Sequence, residues 1–185
     1  YSKKQFIFFI MKKLILVLAA AIVAVAASAQ VYVGGSASVG RNTDANITNF
    51  SIYPEIGYNL NNQWAIAASV GYGYKYNDGT KTNLITFNPY VRYSFAKLGP
   101  VNLFLDGSVD YEYAKTKTPT LLGTVSTDSN DWYVGIKPGF AVPVSDNVAF
   151  VAHVGFLGYS YVNKDNIFGA NIDGNALSFG FYYNF

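Results

Sequence analysis

From Val31 onward the chain alternates apolar and polar residues with period two, and eight such runs are separated by turn-rich segments. They are Val31–Gly40, Asn49–Tyr58, Gln63–Lys75, Asn83–Phe95, Val101–Tyr113, Trp132–Val142, Val148–Tyr161 and Ala176–Phe185. Period two is that of a strand, whose side chains point to opposite faces in turn. In the third run Trp64, Ile66, Ala68, Val70, Tyr72 and Tyr74 share one face, opposite Gln63, Ala65, Ala67, Ser69, Gly71 and Gly73. In the fifth, Val101, Leu103, Leu105, Val109, Tyr111 and Tyr113 oppose Asn102, Phe104, Asp106, Ser108, Asp110 and Glu112. The last run ends on Phe179, Phe181, Tyr183 and Phe185 along one face.

A soluble sheet also alternates, so three further features decide what the greasy faces meet. The runs hold about ten residues or more, against the usual ~5–6 of a soluble strand, and reach far enough to cross a tilted bilayer path. Their apolar faces carry aromatics near the ends and aliphatics in the middle, as in a lipid-facing band flanked by aromatic girdles. The opposite faces are small or polar, which suits a barrel lumen and not a hydrophobic core. The pattern predicts an all-β protein, an eight-stranded antiparallel up-and-down transmembrane β-barrel.

The links between runs support this topology. Arg41–Thr48, Tyr76–Thr82, Ala114–Asp131 and Val162–Asn175 read as long loops, whereas Asn59–Asn62, Ala96–Pro100 and Pro143–Asn147 read as tight turns. Short turns on one side and longer loops on the other are the arrangement of an outer-membrane barrel, with the short ones periplasmic. An even strand number returns both termini to that side. Pro54, Pro89 and Pro138 fall within even-numbered strands, on the lipid face. Proline has no ladder donor, so each should mark a bulge or a missing bond.

The start of the chain is of a different kind. Met11-Lys12-Lys13 is a short basic region, Leu14 to about Ala26 is apolar, and Ala27-Ser28-Ala29 supplies small residues. This is the form of a signal peptide over residues 11–29, cleaved before Gln30, with residues 1–10 as an upstream extension. The apolar run is short for a helix that must cross roughly 30 Å of hydrocarbon. Loss of Lys3, Lys4, Lys12 and Lys13 leaves nine basic against eleven acidic residues, a charge of −2. No basic patch then remains for nucleic acid. The absence of Cys and the single His argue against disulfides, thiolate metal sites and histidine metal clusters. The remainder, 30–185, reads as one barrel domain.

The Lys-Lys-led leader ending Ala-Ser-Ala-Gln, the Pro54-Glu55-Ile56-Gly57-Tyr58 segment and the aromatic last strand together resemble the small outer-membrane β-barrel family of Gram-negative bacteria, the OmpX and OmpA-membrane-domain type. That resemblance implies residence in the outer membrane and a partner in the barrel-assembly machinery, which would read Phe179, Phe181, Tyr183 and Phe185 as an assembly signal. A peptidoglycan-tethering role is not expected of this chain.

Candidate chemistry is confined to the inward faces. Glu55, Arg92, Asp106 and Lys137 lie at similar depth on different strands and can meet across the lumen, with Asp110 and Glu112 further along. Isolated charges in a narrow barrel are costly, so pairing is expected. Eight strands leave an interior just wide enough for side chains to fill, which favours a salt-bridged plug over a gate or proton path. His153 points inward near a tight turn, close to Lys137, and reads as structural. Asp106 and Asp110 are roughly 13 Å apart at about 3.3 Å per residue, too far to share a proton. No catalytic set, cofactor or metal site is expected.

The resulting expectation is a non-enzymatic, monomeric structural or surface-interaction protein. Its partners would be outer-membrane lipid and a host or other surface ligand at the loops. Two alternatives stand beside it. One is a narrow porin-like channel, because Gly34, Ser36, Ser38, Gly57, Ala65, Ala67, Ser69, Gly71 and Gly73 could leave a crevice on one side of the lumen. The other, a secreted lipocalin-like carrier, would need the apolar faces inside.

Overall fold

The computed structural model describes residues 30–43, 46–121, 123–162, 165–171 and 178–185. The leader at 11–29 and the extension before it lie outside these. Ten strand segments run in chain order: β1 (Val31–Asn42), β2 (Ile47–Asn59), β3 (Trp64–Asn77), β4 (Thr80–Leu98), β5 (Val101–Thr120), β6 (Gly123–Pro143), β7 (Val148–His153), β8 (Phe156–Val162), β9 (Asp165–Asn171) and β10 (Ser178–Asn184). Every pairing is antiparallel. Neighbours in sequence pair from β1 through β6, β6 then pairs both β7 and β8, β8 pairs β9, and β10 lies between β7 and β1. β7 with β8 forms one stave and β9 with β10 another. The protein is a closed barrel of eight antiparallel staves.

The seventh stave is broken where the sequence suggests one continuous strand. Gly139 pairs with His153 and Ile136 with Leu157, so this stave holds one more residue than its partner between the two points. The surplus is a bulge at Val154–Gly155, and Gly155 has φ +140°, a conformation that a residue with a Cβ rarely adopts.

The three prolines interrupt the ladders. The β2–β3 register runs from Ile52–Tyr72 to Glu55–Ser69 without pairs at Tyr53 and Pro54. The β4–β5 register skips Asn88 and Pro89 in the same way. Pro138 sits between the β7 and β8 pairings of β6, at the bulge. Each proline thus removes a donor only on the side facing the following stave.

The expected long loops are corrected by the structure. Tyr76–Thr82 is a two-residue turn: Asn77 pairs with Thr80 across Asp78 and Gly79, whose φ values are +41° and +89°. Asp-Gly with both φ positive is the turn whose twist matches a hairpin. Ala114–Asp131 is mostly strand, with the β5–β6 ladder continuing to Thr120–Gly123. Within Val162–Asn175, Asp165–Asn171 forms β9, while 163–164 and 172–175 lie outside the described residues. The first link likewise shortens, with β1 ending at Asn42 and β2 starting at Ile47. Beyond the membrane both faces of a hairpin meet water, so Thr, Ser and Lys replace the apolar face and the alternation fades although pairing continues. The asymmetry between the barrel's two ends therefore lies in hairpin length.

The apolar faces point outward. Ile66, Val70, Ile85, Val91, Val109, Val134, Ile136 and Leu157 are all exposed on the barrel's exterior. Aromatic pairs flank this band, with Trp64 against Tyr93 near the short-turn end and Tyr111 against Trp132 near the other, ring centres 4.6 and 4.8 Å apart. At the upper girdle Tyr72 donates to Asn83 (2.9 Å), Tyr111 to Asn130 (2.6 Å), and Tyr159 to Asn166. In each case the Asn lies two residues before the residue paired with the Tyr on the next stave. The interior is not apolar, which excludes the lipocalin arrangement.

Candidate functional site in the lumen

The lumen near the short-turn end is filled by one connected layer. Register sets Arg92 directly opposite Asp106 across β4 and β5. Arg92 Nε donates to Asp106 Oδ1 at 2.8 Å and Nη2 to Oδ2 at 2.7 Å. Planar guanidinium and carboxylate match at both points, the strong form of such a pair. The guanidinium carbon also lies 3.7 Å from the centre of the Phe104 ring. His153 Nε2 reaches Asp106 Oδ2 at 2.7 Å, and its ring packs edge-on against Phe104. Asp106 is 2% exposed and Arg92 7%.

Three tyrosines complete the layer. Arg92 Nη2 donates to Tyr182 Oη at 3.1 Å. The hydroxyls of Tyr32 and Tyr90 are 3.0 Å apart, those of Tyr90 and Tyr182 3.3 Å, and Tyr90 donates to Glu55 Oε1. Tyr32 and Tyr182 stack at 4.9 Å. With Ala65 and Val151 these rings and Phe104 form the buried core. Such a network, satisfied throughout, rigidifies an interior of low dielectric.

Of the small residues expected to leave a crevice, Gly34, Gly57 and Gly71 instead seat tyrosine rings, while Ser36 and Ser69 line the cavity that lies beyond the layer. A Cβ on Gly57 would fall 2.1 Å from Tyr32 Cζ, and one on Gly34 would fall 2.2 Å from Tyr182 Cδ1. Tyr53 covers Gly71 in the same way. At this level the lumen is occupied.

The predicted ionic residues are all inside, though not in one cluster. Arg92 and Asp106 meet directly. Glu55 joins them through Tyr90. Lys137 stands opposite Asp106 in the β5–β6 register yet bonds to Asp110, Nζ to Oδ2 at 2.7 Å. Asp106 thus has cations on both neighbouring strands and takes the one able to grip it at two points. His153, expected near Lys137, contacts Asp106. Among the described residues no group of His, Cys, Asp and Glu has the arrangement of a metal site. The alternation of the chain does not single out Tyr32, Tyr90, Tyr182 and Phe104 as members of the layer. Their signal is an aromatic at a lumen-facing position of an otherwise small or polar face.

Beyond the layer, toward the long hairpins, lies a cavity of about 530 Å³. Asp106, Ser108, Asp110 and Glu112 form one wall, with Glu55, Asn88, Tyr53, Tyr133, Phe156 and Lys137 around it. Asn88 Nδ2, Ser108 Oγ and Asp110 Oδ1 are buried there without a protein partner.

A closed antiparallel barrel with an apolar exterior band and a charged, hydrogen-bonded interior is an integral membrane β-barrel. The family model for the outer membrane protein beta-barrel domain matches residues 14–185, and the chain belongs to that family. Among solved structures, Neisserial surface protein A (NspA) resembles it with 22% identity and a TM-score of 0.52, over 85% of this chain and 98% of that one. At that identity the likeness concerns the fold. The translocator domain of the autotransporter NalP from Neisseria meningitidis also aligns, at 12% identity over 84% of this chain and 88% of that one, with a TM-score of 0.31. No curated protein matches the chain.

Proposed function

We propose that this chain is a non-enzymatic outer-membrane protein whose lumen is shut by its own side chains and whose work is done by the hairpins. The observation that carries the reading is the Arg92–Asp106–His153 layer with Tyr32, Tyr90 and Tyr182, which fills the barrel where a pore would have to pass. Family membership supports the outer membrane. The residues 11–29, in this reading, form the leader removed before Gln30. The β10 aromatics Phe179, Phe181 and Tyr183 face outward and are exposed; with Phe185 they are the segment offered to the assembly machinery, and the finished barrel is a monomer.

The β5–β6 hairpin presents apolar side chains where the girdle has already ended: Leu121 is fully exposed and Val125 more than half exposed. Scattered apolar tips on rigid strands suit contact with a surface ligand. Protease treatment of intact cells tests this. Cleavage within Thr118–Val125 with the barrel left intact fits the reading, whereas complete protection of that segment on intact cells, with cleavage once the periplasm is opened, contradicts the orientation.

A narrow channel is the second reading, favoured by the cavity beyond the layer. With the layer closing its periplasmic side, that cavity is a dead end.

A further inference from the structure

Just beyond the upper girdle, the exterior of β4 and β5 carries a cluster of positive charge. Lys81 and Lys117 face one another directly in the β4–β5 register, and Asn83 faces Lys115 one repeat nearer the membrane. All four have the parity of Ile85, Phe87 and Val109, which are exposed on the lipid-facing band, so their side chains point outward. Lys81 and Lys117 are themselves exposed. Like charges directly opposite in an antiparallel pair repel, and neither lysine makes an ion pair among the described residues. The next strands supply no acid at these positions: Tyr76 stands opposite Lys81 on β3, and Ser126 opposite Lys117 on β6. The carboxylate beside the cluster is that of Asp128, 3.8 Å from Lys115 with both side chains about half exposed, a pair worth little in water.

We propose that Lys81, Lys115 and Lys117 seat the phosphate of a membrane lipid whose chains lie along the barrel wall below them. The height of the cluster carries the assignment. Asn83 accepts the hydroxyl of Tyr72, so it belongs to the girdle that marks the polar edge of the bilayer, and Lys115 stands directly opposite it. Lys81 and Lys117 come two residues later, roughly 7 Å farther along the strand at about 3.3 Å per residue. That is headgroup depth, where a lysine stem lies on the wall and its ammonium stays in the polar layer. A phosphate monoester carries about −1.5 to −2 charge at pH 7 and three acceptor oxygens. The ammoniums bring only donors, and an anion between Lys81 and Lys117 removes the repulsion of the pair. Below them the exposed column of Ile85, Phe87 and Val109 gives the acyl chains an apolar wall. Lipid is therefore favoured over a free anion, which would use the lysines but leave that column unused. The seat rests on the barrel's residence in a membrane and is independent of what the hairpin tips contact.

Native mass spectrometry of the refolded barrel, released from micelles doped with phosphatidic acid or with phosphatidylcholine of the same chains, tests the seat. The wild type should retain phosphatidic acid at least fivefold more than phosphatidylcholine. Lys81→Gln combined with Lys117→Gln should lower that retention at least fivefold. Lys75→Gln combined with Lys97→Gln removes the same charge elsewhere on the barrel and should leave it within twofold of wild type. Equal retention of the two lipids by the wild type overturns the proposal, and this comparison needs no variant to fold. Equal loss in the two double variants would mean attraction by net charge alone and would also overturn it. Inorganic phosphate in tenfold excess over lipid should displace little of the bound phosphatidic acid, whereas full displacement would mark a site for a free anion and overturn the assignment to lipid.

Discussion

Arg92 and Asp106 face one another across the β4–β5 ladder and form a two-point ion pair inside the barrel, at 2.8 and 2.7 Å. Removing either partner strands a charge in a place with little water. Arg92→Leu should cost about 3–5 kcal/mol, whereas Arg92→Leu combined with Asp106→Leu should recover most of that loss. Urea unfolding of the four species, followed by the mobility difference between folded and unfolded forms on unheated gels, gives the coupling. Equal loss in single and double variants would show that the pair contributes packing and not electrostatics.

Gly57 should behave as the seat of Tyr32. Gly57→Val places atoms where the ring lies, and overpacking of this sort costs about 1–3 kcal/mol. Because the clash is with one side chain, Gly57→Val with Tyr32→Ala should be more stable than Gly57→Val alone. The same unfolding measurement checks both.

The staves and their facing were legible in the chain because lipid on one side and a narrow lumen on the other impose strict alternation. Two things were not. Hairpin lengths were hidden because beyond the membrane β5 and β6 go on pairing through Thr116–Thr127 without an apolar face to announce it. Partner choice inside the lumen was hidden because Asp106 has Arg92 and Lys137 on its two neighbouring strands. Alternation gives the direction of a side chain but not which neighbour it grips; the planar fork of Arg92, resting on Phe104, decides that.

The upper girdle bonds predict small, separable effects. Tyr72→Phe, Tyr111→Phe and Tyr159→Phe should each lower stability by about 0.5–1.5 kcal/mol, the usual net worth of such a bond. The three lie on different stave pairs, so the triple variant should show close to the sum. A markedly larger loss in the triple variant would mean that the belt acts as a unit.

The projecting part of β5–β6 should be dispensable for folding. Joining Thr116 to Thr127 through an Asn-Gly turn preserves their register and removes no residue of the lumen layer. Stability should stay within about 1 kcal/mol of wild type, in keeping with surface changes away from buried groups. Any binding of the protein to a cell or surface ligand should fall sharply in the shortened form.

Whether side chains shut the lumen is decided by electrical recording of the refolded protein in planar bilayers. The intact wild type should give no stepwise conductance. Openings should appear when the layer is dismantled by Tyr32→Ala and Tyr182→Ala together. Steady, reproducible conductance steps from the intact wild-type barrel would contradict a lumen closed by the Arg92–Asp106 layer.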